Sequence, residues 1–175
     1  MRDVPNRYRG LAPRTPEMLR SIVRKFYRGA VSHYDLIQLK KADVRQALAQ
    51  AGGSSDEESR REIARALHTL FLEFHFYVTC WLQIEMALYR LAREDERYAR
   101  IMQRFGCELQ THVTVRHHLD QTEECVRAQW DEERRTWLGA ERDQYRFGEI
   151  LFTVDEKSLA SLHELYEAVQ AVSSS

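Results

Sequence analysis

The feature that most constrains this chain is one broad apolar face carried over nearly four tens of residues. Ile63, Leu67, Leu70, Phe71, Phe74, Val78, Trp81, Leu82, Leu88 and Leu91 recur at helical spacing up to about Arg93. A start signal stands before them. Ser55-Asp56-Glu57-Glu58 reads as a capping box, and its acidic residues suit the positive end of a helix. A helix over 56–93 would be about 55 Å long at about 1.5 Å per residue, too long for a sandwich of short elements, so other helices must lie against it. Three prolines and seven glycines among 175 residues are too few for the turns of a many-stranded barrel. The fold class expected is therefore all-α: an antiparallel helical bundle around one long central helix.

The rest of the chain divides around that pillar. Residues 1–14 read as a flexible basic arm, 15–172 as a single helical-bundle domain and 173–175 as a frayed tail. Thr15 caps and Pro16 opens a first helix with Leu19, Ile22, Val23 and Phe26 inward. Gly29 is expected to interrupt it, and a second helix over Ser32–Gln50 would send Leu36, Leu39, Val44 and Leu48 to the core. Beyond the pillar, helices are expected near 95–105 and over 109–138, with Gly106 at the break. Tyr145 to Val154, aromatic and β-branched around Gly148, reads as a small C-terminal β-hairpin. Asp155 then caps a last helix with Leu159, Leu162, Leu165, Tyr166 and Val169 on one side.

Composition excludes several function classes. The apolar share of 43% supports one core, and 30% charged residues oppose a membrane protein. The stretch Leu70–Leu91 contains Glu73, His75, Gln83 and Glu85 and does not reach the roughly 20 apolar residues of a membrane span. Cys80, Cys107 and Cys125 form no C-x-x-C pair, which points to a reducing cytoplasm without zinc knuckle or disulfide framework. Neither a phosphate-cradling glycine loop nor a nucleophile elbow is present, and no cofactor is called for. Seven histidines invite a metal hypothesis, yet no glutamate stands three residues before a histidine, and no metal site is expected. Cys80 beside Trp81 reads as an inert buried thiol, and His75 as a core-edge histidine bonded to a neighbouring helix. Glu73 and Glu85, on the central helix, must reach the surface or meet an arginine or histidine of another helix.

Charge is unevenly spread. Residues 1–50 carry eleven Lys/Arg against four Asp/Glu, and residues 51–175 fifteen against twenty-three. Arg20, Arg24, Lys25 and Arg28 form a basic stripe that can neutralise nucleic-acid phosphates or meet an acidic protein surface. The excess of 22 arginines over four lysines reads mainly as codon bias.

The most informative stretch is Thr114-Val115-Arg116-His117-His118-Leu119-Asp120-Gln121-Thr122-Glu123-Glu124. As a helix it pairs Arg116 with Asp120 and lets His117 reach Gln121. An arginine followed by a polar residue and a position for histidine resembles the R-polar-x-x-x-H motif of HEPN-like helical-bundle proteins, in which four to six residues separate Arg and His. The long aromatic helix and the late hairpin are similar to that group over about residues 60–170. The resemblance implies a bacterial toxin–antitoxin or defence-type setting and a homodimer. In nuclease members the arginine would stabilise phosphorane charge and the histidine would move the proton of a 2′-hydroxyl without metal. Here the permitted histidine positions hold Gln121, Thr122 and Glu123, while His118 lies inside the motif, where the family pattern does not place the base, and is the candidate substitute. Arg28 with His33 and Arg61 with His68 meet the spacing too, as often as chance placement gives. The expectation is thus a catalytically degenerate protein that binds RNA or a cognate protein partner, with Arg116 and His118 as the candidate catalytic pair. Arg20, Arg24, Lys25, Arg28, Arg116, His117 and Gln121 are the candidate binding residues. The rival expectation is a helical dimerisation module without nucleic-acid binding.

Overall fold

The computed structural model describes residues 14–53, 56–131, 136–137 and 144–173. Two helices of 36 residues, α1 (Pro16–Ala51) and α2 (Glu57–Ala92), form its frame. Local chemistry sets their ends. The Thr15 side chain accepts from the Met18 N–H at 3.2 Å, and α1 stops at Gly52, whose φ of 53° is the left-handed conformation that lets its N–H reach back to Ala49. The cap of α2 is Asp56, which accepts from the Ser59 N–H at 2.8 Å, one residue beyond the serine expected; Ser55 lies outside the described residues. The short connection makes the two helices an antiparallel hairpin. Gly29 against Cys80 and His33 against Glu73 mark its sense.

Helix α1 runs straight through Gly29, correcting the expected interruption. The buried stripe Leu19, Val23, Ala30, Tyr34, Ile37 and Val44 continues past it. Burying such side chains against α2, at about 1.5–3 kcal/mol each, outweighs the roughly 1 kcal/mol that a glycine costs a helix interior. Gly29 is where the helices come close, since a Cβ there would stand 3.1 Å from Cys80 Sγ. One continuous helix also keeps one phase. Leu36 and Leu39 fall off the stripe and are 37% and 62% exposed, while Ile37 and Lys41 take the inward positions and Leu48 packs at the core edge.

Helix α2 is buried on two sides. Ile63, Leu67, Leu70, Phe74, Tyr77, Trp81, Ile84, Leu88 and Leu91 alternate four and three residues apart, flanked by Phe71, Val78 and Ala87. Of the expected apolar face only Leu82 is left half-buried. On the side away from α1 lie α3 (Glu96–Arg104), α4 (Gly106–Leu119) and α5 (Thr122–Arg127). The helix expected over 109–138 is in fact broken at Asp120–Gln121 and ends at Arg127. The carbonyls of His118 and Leu119 are taken by the Gln121 N–H and the Thr122 hydroxyl, which turn the chain before α5 restarts. A two-residue ladder follows, pairing β1 (Trp130–Asp131) with β2 (Thr136–Trp137).

The expected C-terminal hairpin is present as β3 (Gln144–Phe147) and β4 (Ile150–Thr153), with Phe147 opposite Ile150 across a Gly148–Glu149 turn. Its inner face is aromatic. Tyr145, Phe147 and Phe152 pack edge-on against Phe71 and Phe74, the closest centroids, Phe74 and Tyr145, being 4.7 Å apart. Asp155 caps α6 (Glu156–Ser173) by accepting from Ser158 N–H at 2.9 Å, and Ser158 Oγ accepts from Asp155 N–H in return. Leu162, Leu165 and Val169 face inward, and Tyr27 of α1 stacks on Tyr166 at 3.9 Å. Ser173, expected to fray, ends α6 with its hydroxyl on the Val169 carbonyl. Arm residues 1–13 and residues 174–175 lie outside the described residues. The result is an all-α bundle with a small hairpin, and none of its described helices is long and apolar enough to cross a membrane.

Candidate functional site

The C-terminal turn of α4 carries Arg116, His117 and His118. Residues two apart on an α-helix are about 200° apart around its axis, so Arg116 and His118 leave α4 on opposite sides. Arg116 Nη1 donates to Asp120 Oδ2 at 2.6 Å, the pair expected from the sequence. Asp120 rims a cleft of about 420 Å³ with His68, Phe71, Leu72, His75 and Leu119, between α2 and the α4–α5 turn. His118 lines a second cleft of about 350 Å³ together with Gln121, Glu124, Cys125, Arg146 and Gly148. His117 is exposed, and no hydrogen bond joins it to Gln121 among the described residues. The candidate pair Arg116 and His118 is therefore not brought together within one chain.

The second cleft is held by three contacts that sequence reasoning missed. Gln129, fully buried in a short non-helical link, gives its whole amide to backbone: Nε2 donates to the Cys125 carbonyl (2.8 Å) and the Arg146 carbonyl (2.7 Å), and Oε1 accepts from Arg146 N–H (2.9 Å). It thus acts as a one-residue strand partner for β3 and anchors the hairpin to α5. Gly148, at φ 58°, lies flat against the His118 ring, where a Cβ would stand 2.7 Å from Cε1. Cys125 Sγ donates to the His118 carbonyl at 3.2 Å, and burial first, then Glu124, pushes its thiol up to about 11, so it stays protonated. A glycine at a predicted turn was the one signal in the sequence; nothing local distinguishes Gln129.

Compared with known proteins, the chain matches no family model, no curated protein and no solved structure. Function has to be read from the side chains themselves.

The basic stripe lies elsewhere. Arg20, Arg24 and Arg28 recur every four residues on α1, whose partners are α2 and α6, whereas α4 and α5 pack on the far flank of α2. Arg24, Lys25 and Arg28 are exposed, and none of the four cations forms an ion pair among the described residues; Lys25 sits over the Phe26 ring at 5.6 Å. The central helix resolves its carboxylates in two ways. Glu73 meets His33 of α1 at 2.8 Å, as the sequence required, while Glu85 is half-buried and burial raises its carboxyl. Burial likewise holds the Cys80 thiol at about 11, the inert state expected. His75 touches the edge of Phe76 and opens on the first cleft; the expected bond to a neighbouring helix is not made among the described residues. The histidine that is deeply built in is His112, stacked on Trp81 at 4.0 Å with its Nδ1 on the Glu108 carbonyl at 2.6 Å. Among the described residues no three His, Cys, Asp or Glu side chains converge as a metal ion requires.

Proposed function

We propose that the protein is a HEPN-like, catalytically degenerate RNA-binding bundle from a toxin–antitoxin or defence-type setting. The single observation that carries this reading is the outer face of α1, where Arg20, Arg24 and Arg28 stand one turn apart with no carboxylate paired to them among the described residues. An arginine row of that kind suits a phosphate backbone, for which arginine forks are preferred. The degenerate character is supported by α4, since Asp120 occupies Arg116 and the helix turns His118 away from it. Titrating fluorescent single-stranded RNA at several salt concentrations tests it. Binding should weaken with salt, and Arg20→Gln/Arg24→Gln/Arg28→Gln should lower the log–log slope by about 2, at roughly 0.7 per lost phosphate contact. An unchanged slope refutes the role of α1.

A second reading, a protein partner or a second copy of this chain, is favoured by Leu72 and Phe76 on α2 and Leu36 on α1. All three are exposed, and His33, one turn before Leu36, stacks on Phe76 at 5.2 Å. A dimer in sedimentation that Phe76→Glu converts to a monomer of about half the mass would support it.

A further inference from the structure

We propose that residues 1–13 strap back along the outer furrow between α1 and α2, with Leu11, Tyr8 and Pro5 seated on its apolar floor. Met18 and Leu36 are separated by about five full turns, so they stand on one line of α1 about 27 Å long. Ile22, Gly29 and His33 fall within about 60° of that line, on the side of α2. There Gly29 lies against Cys80, and His33 bonds Glu73. Phe76, stacked on His33 at 5.2 Å, and Leu72 one turn before it form the opposite bank. Met18, Leu36, Leu72 and Phe76 are 53%, 37%, 52% and 43% exposed, and residues 74–84 of α2 include no Asp, Glu, Lys or Arg. A contiguous apolar furrow without charge marks an interaction site.

The occupant follows from where the described chain begins. The Thr15 cap stands one turn before Met18, at the mouth of the furrow, and thirteen residues precede Arg14. At about 3.1 Å per residue in polyproline II conformation they reach about 40 Å, past Leu36. Pro5 and Pro13 favour that conformation, since each fixes its own φ near about −65° and holds Val4 or Ala12 extended. With about three residues per turn, Leu11, Tyr8 and Pro5 share one face over about 19 Å, while Arg7 and Arg9 fall on the other two. A furrow without charge takes the first face and leaves the arginines in water. Running back from Thr15, Leu11 comes to Met18 and Ile22, Tyr8 to the Gly29 notch and Pro5 to Phe76. A segment tethered at the mouth acts at about millimolar effective concentration, ahead of a second copy in dilute solution. The strap is thus an intramolecular cover over the surface that the second reading above gives to a partner, and it stands without that reading or the RNA reading.

Paramagnetic broadening in the full chain tests the strap. In a Cys107→Ser background, whose remaining Cys80 and Cys125 are buried, Asn6→Cys carries a nitroxide. Amide signals of Ser32–Leu36 and Leu72–Phe76 should lose about half their intensity or more, as a majority docked population requires, and more than those of α3. Tyr8→Asp/Leu11→Asp, which changes nothing in the bundle, should restore the intensities, and so should Phe76→Asp at an exposed position of α2. Nitroxide chains mixed with isotope-labelled chains that carry no nitroxide should leave the signals of the latter intact. Broadening in that mixture would give the furrow to another copy and overturn the intramolecular strap. No broadening, equal broadening over the whole bundle, or broadening that survives both aspartate variants would overturn it as well.

Discussion

Lowering the pH from 7 to 4 should destabilise this protein through His112, a residue outside both clefts. Its ring is fully buried, stacked 15° from coplanar on Trp81, with Phe152 edge-on and Tyr77 beside it. Nδ1–H donates to the Glu108 carbonyl, while Nε2 is buried without a hydrogen-bond partner. Desolvation pushes the imidazole from 6.5 down to about 4, with the Glu108 bond only partly opposing the shift. The Tyr77 hydroxyl, raised to about 12 by burial, supplies no charge to offset it. The sign follows from linkage: below pH 6.5 the unfolded chain takes up a proton that the native ring refuses until about pH 4, so stability is full above 6.5 and falls as the pH drops through that window. With those two values the loss is about 2 kcal/mol between pH 7 and 5 and about 3 kcal/mol by pH 4, flattening below. Urea unfolding at half-unit pH steps, run on the natural chain and on His112→Phe, isolates the effect because every other titrating group is common to both. The difference in unfolding free energy should shift by about 2 kcal/mol in favour of the variant from pH 7 to pH 5. Two parallel curves would refute the reasoning.

Three further outcomes are expected. Gly29→Ala should destabilise by about 1 kcal/mol, because its Cβ meets the buried Cys80 Sγ at 3.1 Å and the gain in helix propensity does not cover the strain. Adding Cys80→Ala should recover at least that amount as coupling in a double-mutant cycle. Gln129→Leu strands the Arg146 N–H and C=O and should cost about 3 kcal/mol in chemical unfolding, with faster amide exchange in β3. Leu39→Gln should change stability by less than about 0.5 kcal/mol while Ile37→Ala costs about 3 kcal/mol. Equal costs would mean that the α1 phase described above is wrong.

Much of the frame was legible because it depends on interactions within a few residues. Thr15 before Pro16 and Asp155 before Ser158 act over one turn of chain, and the apolar spacing of α2 repeats within each turn. Even the separation of Arg116 from His118 is a property of helical pitch. What only the tertiary structure decided involves residues far apart in sequence. Gly29 breaks no helix because α2 lies against it. Leu36 and Leu39 face solvent because α1 is one rod whose phase is set by its whole contact with α2. The second cleft joins α4 and α5 to a hairpin some twenty residues later, through a glutamine and a glycine whose roles exist only once those segments meet. Local propensities are worth tenths of a kcal/mol to about one, whereas each buried side chain or satisfied buried amide is worth one to three. Where the two disagreed, at Gly29 and along α1, packing prevailed.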